Sequence, residues 1–594
     1  MSKPSSKPKG ASPSAGANQR WSSDVIVDML HRYELPYAAL NPGASYRGLH
    51  DSMVNYGGNQ PVMMLCQHEE TAVQIAHGYA KACGKPMVAI VHNLVGLLHS
   101  NLAIYYAYID RAPIFIIGAT APMDETKRRP RIDWTHTALV QGNAVRDYTK
   151  WDYQPTTVDG VPESFARAYG VMMTQPQGPI YMCYDAWLQE QPLDHDVPLP
   201  PKTAMQVPAQ FTADQAALAR AADLIAEAKR PVILAEFVGR DSKGFNALVA
   251  LAETLGAPVY DVNSRLNFPG CHPLNMSMVK DVFRDADLIL CLDVRDWERA
   301  TTELNSQTRQ LNSIEPADCV WIDIGFGDLE LSSWAMDYQR LKHAQLRILA
   351  DTTLAIPALT ELMRKRISAD AGLAKLIKER AGKTAERHRG TRAEWAKEAR
   401  ADWDASPIPL PRLAHEVWEA IKNEDWVLTA GTLEDWTRML WDFDKPYRHP
   451  GKSLGTATQI GISLGVALAH RDAGRLVVDI QPDGDLMFDA GALWVAVKHK
   501  IPMLIVMYNN RAYYNDWEHQ IRMARQRGTP IERAHIGMDL EEPVVDFAGL
   551  AKSMGWYAEG PIEHGKDVGP ALKRAIARVK AGQPALLDTI TQKR

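Results

Sequence analysis

The chain has 594 residues, 46% of them apolar and 23% charged, with a formal net charge of −5. This describes a globular protein with a large core, long enough for two or three domains. The mild acidity argues against a general nucleic-acid binder or a membrane-surface protein, and no uncharged apolar run reaches the length of a membrane span. Six cysteines lie scattered without a C-x-x-C pair, which fits a reduced cytoplasmic protein better than a disulfide scaffold or a zinc site.

The first nineteen residues, MSKPSSKPKGASPSAGANQ, lack an apolar centre and read as a disordered tail, not a secretory signal. From there on, apolar strand-like runs alternate with helix-like stretches. That rhythm predicts an α/β fold of three domains with parallel sheets flanked by helices. The first block, 20–190, holds PVMMLC (61–66), PMVAIVH (86–92), APIFIIGA (112–119) and GPIYMCY (178–184). After a Pro-rich join, the second block, 209–365, holds RPVILAEF (230–237), ADLILCLD (286–293) and CVWIDIG (319–325). A charged helical connector, 366–404, leads to the third block, 405–594, with DWVLTAG (425–431), RLVVDIQ (475–481), IPMLIVMY (501–508) and PALLDTITQ (584–592).

The stretch QPDGDLMFDAGALWVAVKHKIPMLIVMYNN (481–510) reads as a strand end, one helix over LMFDAGALWVAVKHK, and a second strand ending at Asn509 and Asn510. In a parallel βαβ unit both loops emerge at the carboxyl edge of the sheet, where open α/β folds bind ligands. Asp483 and Asn510 can therefore converge although they lie 27 positions apart. Their oxygens suit Mg²⁺ or Ca²⁺. Gly484 leaves room for a phosphate at a helix N-terminus. The bland alternative is an ordinary βαβ unit with a polar turn at each end.

The stretch resembles the thiamine diphosphate motif of the acetolactate synthase, benzoylformate decarboxylase and benzaldehyde lyase superfamily. That motif is Gly-Asp-Gly, about two dozen residues, then Asn-Asn. The resemblance implies Asp483, Asn510 and the Ala512 carbonyl as Mg²⁺ ligands, with Gly484 and Asp485 completing the cofactor-binding set. One departure is Pro482 in place of the first Gly; proline lacks an N–H and fixes φ, so the loop must not need that donor. A second segment, QHEETAVQIAHGYAKACGKP (67–86), resembles the family's His-Glu segment with Gly-Tyr-Ala, Glu69 and Gly78 standing at the family's spacing. By resemblance Glu69 is the catalytic glutamate that hydrogen-bonds the cofactor's aminopyrimidine ring. Three domains follow from the likeness: pyrimidine-binding, central Rossmann-like and diphosphate-binding.

HNLVGLLHSN (92–101) resembles the His-x-x-x-Gly segment of benzoylformate decarboxylase-like members, which makes His92 a candidate proton relay. His136 or Thr137 falls near the pocket glutamine of acetolactate synthase, and neither is that glutamine; His136 is carried as a candidate catalytic residue. His99, Trp517 and His519 read as structural or lid residues, and Arg128–Arg131 as a solvated loop. NPGAS (41–45) resembles a loop near the reacting centre, with Ala44 and Ser45 after the Gly. The bulky residue that bends the cofactor is Leu454, Thr456 or Ile460. In the second block Asp323 ends a strand and is placed to hold a ribose, but no G-x-G-x-x-G is present; FAD, ADP or an empty domain all stay open. The expected activity is a Mg²⁺- and thiamine diphosphate-dependent C–C lyase or ligase acting on 2-oxo acids or related carbonyl compounds, acetolactate synthase-like. The alternatives are a 2-oxo acid decarboxylase, a 2-hydroxyacyl-CoA lyase, or a homologue without turnover. The resemblance also implies a homodimer or homotetramer with active sites between subunits.

Overall fold

The computed structural model describes residues 19–593 apart from 202, 204–205, 331–341 and 452–454. The expected tail, but for its last residue, and the candidate Leu454 lie outside the described residues. Three parallel sheets organise the rest. The first has six strands, in the order Val62–Leu65, Tyr37–Leu40, Met87–Ile90, Ile114–Thr120, Ile180–Asp185, Trp151–Tyr153. The central one has five: Leu346–Leu349, Val320–Gly325, Leu288–Leu292, Pro231–Ala235, Val259–Asp261. The third also has five: Trp426–Ala430, Leu476–Pro482, Leu504–Asn509, Ala585–Ile590, Tyr557–Ile562. Their inner strands are buried along most of their length because helices cover both faces; every residue of Ile114–Thr120 is buried. A small antiparallel hairpin, Thr302–Leu304 with Leu311–Ser313, stands apart from the α/β pattern.

The connector contains a 28-residue helix, Ala371–Glu398, which buries only Leu373, Ile377 and His388. The segment read as one helix after Asp483 is instead two, Asp483–Phe488 and Ala492–Lys498. The break falls at Asp489, whose carboxylate accepts a 2.6 Å bond from Thr71 Oγ1 of the first sheet's unit. A tertiary contact has overridden a continuous helical pattern.

The first and third units meet through two helices, Glu69–Cys83 and Thr458–His470. Glycines make the close approach possible. A Cβ on Gly78 would stand 2.8 Å from the Ile462 carbonyl carbon, and one on Gly461 would stand 2.6 Å from Gln74 Cβ. Helix Glu69–Cys83 is well specified by its ends. His68 caps it by accepting from Glu70 N, two glutamates occupy its first turn, and Gly84 ends it at φ 68°.

Candidate active site

Strands Leu476–Pro482 and Leu504–Asn509 are adjacent and parallel, with Pro482 opposite Tyr508. Asp483 and Asn510, the next residues, therefore leave the sheet side by side. Ala512 N donates to both, at 3.2 Å to Asp483 Oδ2 and 3.0 Å to Asn510 Oδ1. Asp483 is 2% exposed. Burial pushes its carboxyl up to about 6, against the pull of neighbouring backbone N–H groups. A buried carboxylate with an amide oxygen beside it is the donor chemistry that a hard cation relieves, so these residues fit Mg²⁺. Pro482 sits at φ −75°, inside proline's own range, at the end of its strand. A Cβ on Gly484 would stand 2.6 Å from Tyr513 Cε1.

Asp485 braces the neighbouring loop: its carboxylate accepts from Ala457 N at 2.9 Å and Gln459 N at 3.4 Å. That loop is strained, with Gly455, Thr456 and Ala457 at φ 87°, 53° and 75°. Consecutive left-handed residues are costly away from glycine, and such strain collects at functional sites. Of the two described candidates for the residue that bends the cofactor, Ile460 is sealed in the core. Thr456 is exposed, 3.1 Å from the Tyr106 hydroxyl across the junction.

The first sheet supplies the opposing half. Its topological switch lies between Tyr37–Leu40 and Met87–Ile90, and the segments leaving those strands carry Ser45 and His92. Ser45 Oγ is 2.7 Å from His92 Nδ1, and the His92 and His136 rings meet edge to face at 6.0 Å. Burial lowers the His92 pKa, with Glu69 opposing and His136 reinforcing the shift. Glu69, 5% exposed, stands beside Gly96, where a Cβ would come within 2.7 Å of Glu69 Oε1 and 2.9 Å of His92 Cβ. His99, expected to be structural, places Nδ1 3.1 Å from Glu69 Oε2. Thirty positions separate the pair, and no spacing rule links them. Thr137 Oγ1 accepts from Ala121 N at 3.3 Å, a backbone-bracing contact. Trp517 lies beside the tilted ring of His535 and under Lys593. Arg128 and Arg129 are exposed and spend their donors on nearby carbonyls and Asp133.

In the central sheet the switch lies between Pro231–Ala235 and Leu288–Leu292. The crevice outside their carboxyl ends, where FAD or ADP would bind, is filled by the chain itself. Arg111, from the first unit, donates to Asp293 at 2.7 Å and lies 4.2 Å over the Phe237 ring. Arg240 bridges Asp293 and Asp351, each at 2.7 Å. Arg295 N donates to Glu236 at 2.6 Å, and its guanidinium donates to Ile109 O at 2.9 Å. Asp323, expected to hold a ribose, lies 3.5 Å from Arg347 Nε. These residues do not fit a dinucleotide, and none is assigned to them.

Two parallel α/β units joined through paired helices, with a third as a filled spacer, define a multidomain cofactor-dependent enzyme. Three family models match in chain order: the N-terminal TPP binding domain of thiamine pyrophosphate enzymes over 20–143, their central domain over 218–331, and their C-terminal TPP binding domain over 429–589. The chain belongs to the thiamine pyrophosphate enzyme family. Among curated relatives it is 23% identical to "Probable acetolactate synthase 2, chloroplastic" of Oryza sativa subsp. japonica, over 97% of this chain and 84% of that protein. Similar solved structures include benzoylformate decarboxylase from Polynucleobacter necessarius, with a TM-score of 0.74, 19% identity, and coverage of 97% of this chain and 99% of that one. Another is a thiamine diphosphate-dependent 4-hydroxybenzoylformate decarboxylase from Rhodococcus jostii RHA1, with a TM-score of 0.73, 18% identity, and coverage of 96% and 99%.

Proposed function

We propose that the protein uses thiamine diphosphate and Mg²⁺ to make or break the C–C bond beside the carbonyl of a 2-oxo acid or related compound, in the manner of acetolactate synthase. The observation that carries this reading is the hydrogen-bonded trio of Asp483, Asn510 and Ala512 at adjacent strand ends, with Asp483 and Ala512 buried and Asn510 half-buried. It lies in the same chain as a buried glutamate at the start of the helix facing that unit. In this reading Asp483, Asn510 and the Ala512 carbonyl hold the metal. Gly484, whose missing side chain the Tyr513 ring packs against, would offer its backbone to the diphosphate, and Asp485 holds the loop 455–459 in place. Thiamine diphosphate, when bound, supplies a carbon nucleophile for carbonyl groups; orientation and proton handling fall to the protein. Glu69 would hydrogen-bond the aminopyrimidine ring. His92, held by Ser45, takes or gives a proton on the substrate side, with His136 next to it.

That histidine-rich wall favours a second reading, a 2-oxo acid decarboxylase or 2-hydroxyacyl-CoA lyase, since protonating the product needs a donor where ligation needs an acceptor site. Incubating the Mg²⁺- and thiamine diphosphate-loaded enzyme with pyruvate, benzoylformate and aldehydes, and identifying products, separates the two. Release of CO₂ with aldehyde alone favours decarboxylation, and 2-hydroxy ketones or 2-aceto-2-hydroxy acids favour ligation. No turnover with any of them, together with full activity of Glu69→Gln on the true substrate, would refute both.

That two copies share each site is part of the proposal, although the Glu69 helix also packs on the third unit of its own chain. Large apolar side chains stand exposed at Trp134 and Leu139 in the first unit, and at Met487 and Phe488 just after Asp483, and a second chain would cover them. Mixing inactive Glu69→Gln with inactive Asn510→Ala under demonstrated subunit exchange restores activity if a site is shared between chains. It restores none if each chain carries its own site. All six cysteines are free thiols, and among the described residues no helix is long and apolar enough to cross a membrane. Both fit the cytoplasmic placement we propose.

A further inference from the structure

Helix Leu94–His99 delivers His99 to the outer side of Glu69. His99 Nδ1 lies 3.1 Å from Glu69 Oε2, and its ring stacks on His68 at a centroid distance of 4.8 Å. His68, Glu69 and His99 bring one ligand-type atom each within 4.8 Å of one another, so a transition-metal site is the first possibility to weigh. The tautomer of His68 argues against it. His68 Nδ1 accepts from Glu70 N at 3.3 Å, so the neutral ring carries its proton on Nε2 and has no second lone pair for a metal. Burial, then neighbouring His99, lowers the His68 pKa and keeps that ring neutral.

The tautomer of His99 is set by the same logic. An ionised carboxylate only accepts, so the bond to Glu69 is donated by Nδ1–H, and the neutral His99 ring carries its lone pair on Nε2. The His99 side chain is 48% exposed, whereas that of Glu69 is 7% exposed. One group thus bridges an enclosed carboxylate and the open cleft.

We infer that His99 is a positioning and relay residue for Glu69: Nδ1–H fixes the carboxylate, and a proton arriving at Nε2 from the cleft releases the Nδ1 proton to Glu69 Oε2. The balance is simple. An N–H bond forms at Nε2, the N–H bond at Nδ1 breaks, and an O–H bond forms on Glu69; the ring starts and ends neutral. Running in reverse, the relay carries a proton from Glu69 to solvent. The inference rests on Glu69 being the catalytic glutamate proposed above.

The charged surroundings are specific. His68, Glu69 and Glu70 face His99 from helix Glu69–Cys83 and its cap. His92 and His136 lie beyond Glu69. Asp485 and Asp489 act on Glu70 from across the junction, and Glu70 is pushed up to about 7 by burial first and Asp489 second, with His99 opposing. Glu70 is therefore an acid that responds to the charge on His99, and Glu70→Gln serves to remove its contribution from the pH dependence.

The test uses the full-length enzyme with His99→Ala and His99→Asn, both at an exposed position. Asn keeps an N–H donor near Glu69 but cannot relay. Both variants should melt like the parent and bind thiamine diphosphate within about twofold by calorimetry. Deuterium exchange at the cofactor's reactive carbon, read by rapid quench and NMR, should fall in both by on the order of 10²-fold, the lower range for lost acid–base help. kcat should fall with it at constant KM, and imidazole should restore His99→Ala saturably. In cofactor-free enzyme, diethyl pyrocarbonate should carbethoxylate His99 and spare His68. Parent-like exchange in His99→Asn would overturn the relay, as would labelling of His68 in place of His99. If the parent does not bind thiamine diphosphate, or Glu69→Gln exchanges at the parent rate, the underlying reading of the site fails instead.

Discussion

Replacing Gly78 with Ala tests the junction on which the candidate site depends. The added Cβ would stand 2.8 Å from the Ile462 carbonyl carbon and 3.0 Å from its Cα. Carbon–carbon contacts settle at about 3.5–4.0 Å, and the added Cβ collides still harder with the Ile462 carbonyl oxygen, so helices Glu69–Cys83 and Thr458–His470 must part by roughly 1 Å or more. The obstacle is backbone inside a helix, so it cannot turn aside as a side chain would. Overpacking of this kind costs about 1–3 kcal/mol. That equals roughly 2–4 °C of melting temperature per kcal/mol for a unit of this size. The larger effect should be on turnover, because the displacement shifts the start of the Glu69 helix against the loop 455–459, and a misplacement near 1 Å costs about 10²-fold in rate. Differential scanning calorimetry, thiamine diphosphate titration and kcat together measure it. Gly170→Ala is the control: it lies in helix Gly160–Met173 with nothing within 4 Å of its Cβ position, and it should stabilise by ~0.5–1 kcal/mol. If Gly78→Ala melts and turns over like the parent, the close helix contact does not organise the site.

Asp483→Ala should weaken Mg²⁺ and thiamine diphosphate binding together, by more than the ~10–100-fold typical of lost outer-sphere partners; unchanged calorimetric affinities would move the metal elsewhere. His92→Ala should lower kcat by about 10²–10⁴-fold and flatten one limb of the pH profile while sparing cofactor affinity, and an unaltered profile would return His92 to a structural role. His470 is lowered to about 4 by burial first and Arg475 second, Asp425 opposing. Its neutral form is therefore favoured in the fold. Unfolded His470 takes up a proton below about 6.5, so stability should fall as pH drops from there to about 4 and level off below. His470→Gln should remove up to about 3 kcal/mol of that slope, as urea titrations at pH 7 and 4.5 would show; an identical slope in the variant would refute the assignment.

The long inner strands were legible because burial on both faces leaves uninterrupted apolar runs such as Ile114–Thr120 and Leu504–Asn509. Several other strands were not. Tyr37–Leu40 is half alanine, Val259–Asp261 and Trp151–Tyr153 have three residues each, and Tyr557–Ile562 contains the breaker pair Gly560-Pro561. The two ends of the βαβ unit could be placed because parallel crossover geometry puts successive loops on one edge. The break at Asp489 could not, since it depends on Thr71, more than four hundred positions away. The same limit hid the pairing of His99 with Glu69 and the filling of the central crevice by Arg111. Each is a contact between elements whose proximity only the assembled fold creates.

The filled crevice also bears on how this chain can change. Asp293 is held by two guanidiniums, Arg111 and Arg240, and its side chain is wholly enclosed. Removing Asp293 would strand both cations in the interior, and breaking such a buried pair typically costs about 3–5 kcal/mol. Clearing space for a nucleotide would therefore take simultaneous loss of charges from two separate units of the chain. Removing any one of these charges alone leaves its partners buried and unpaired, so the interior charges latch the crevice shut against one-at-a-time substitution.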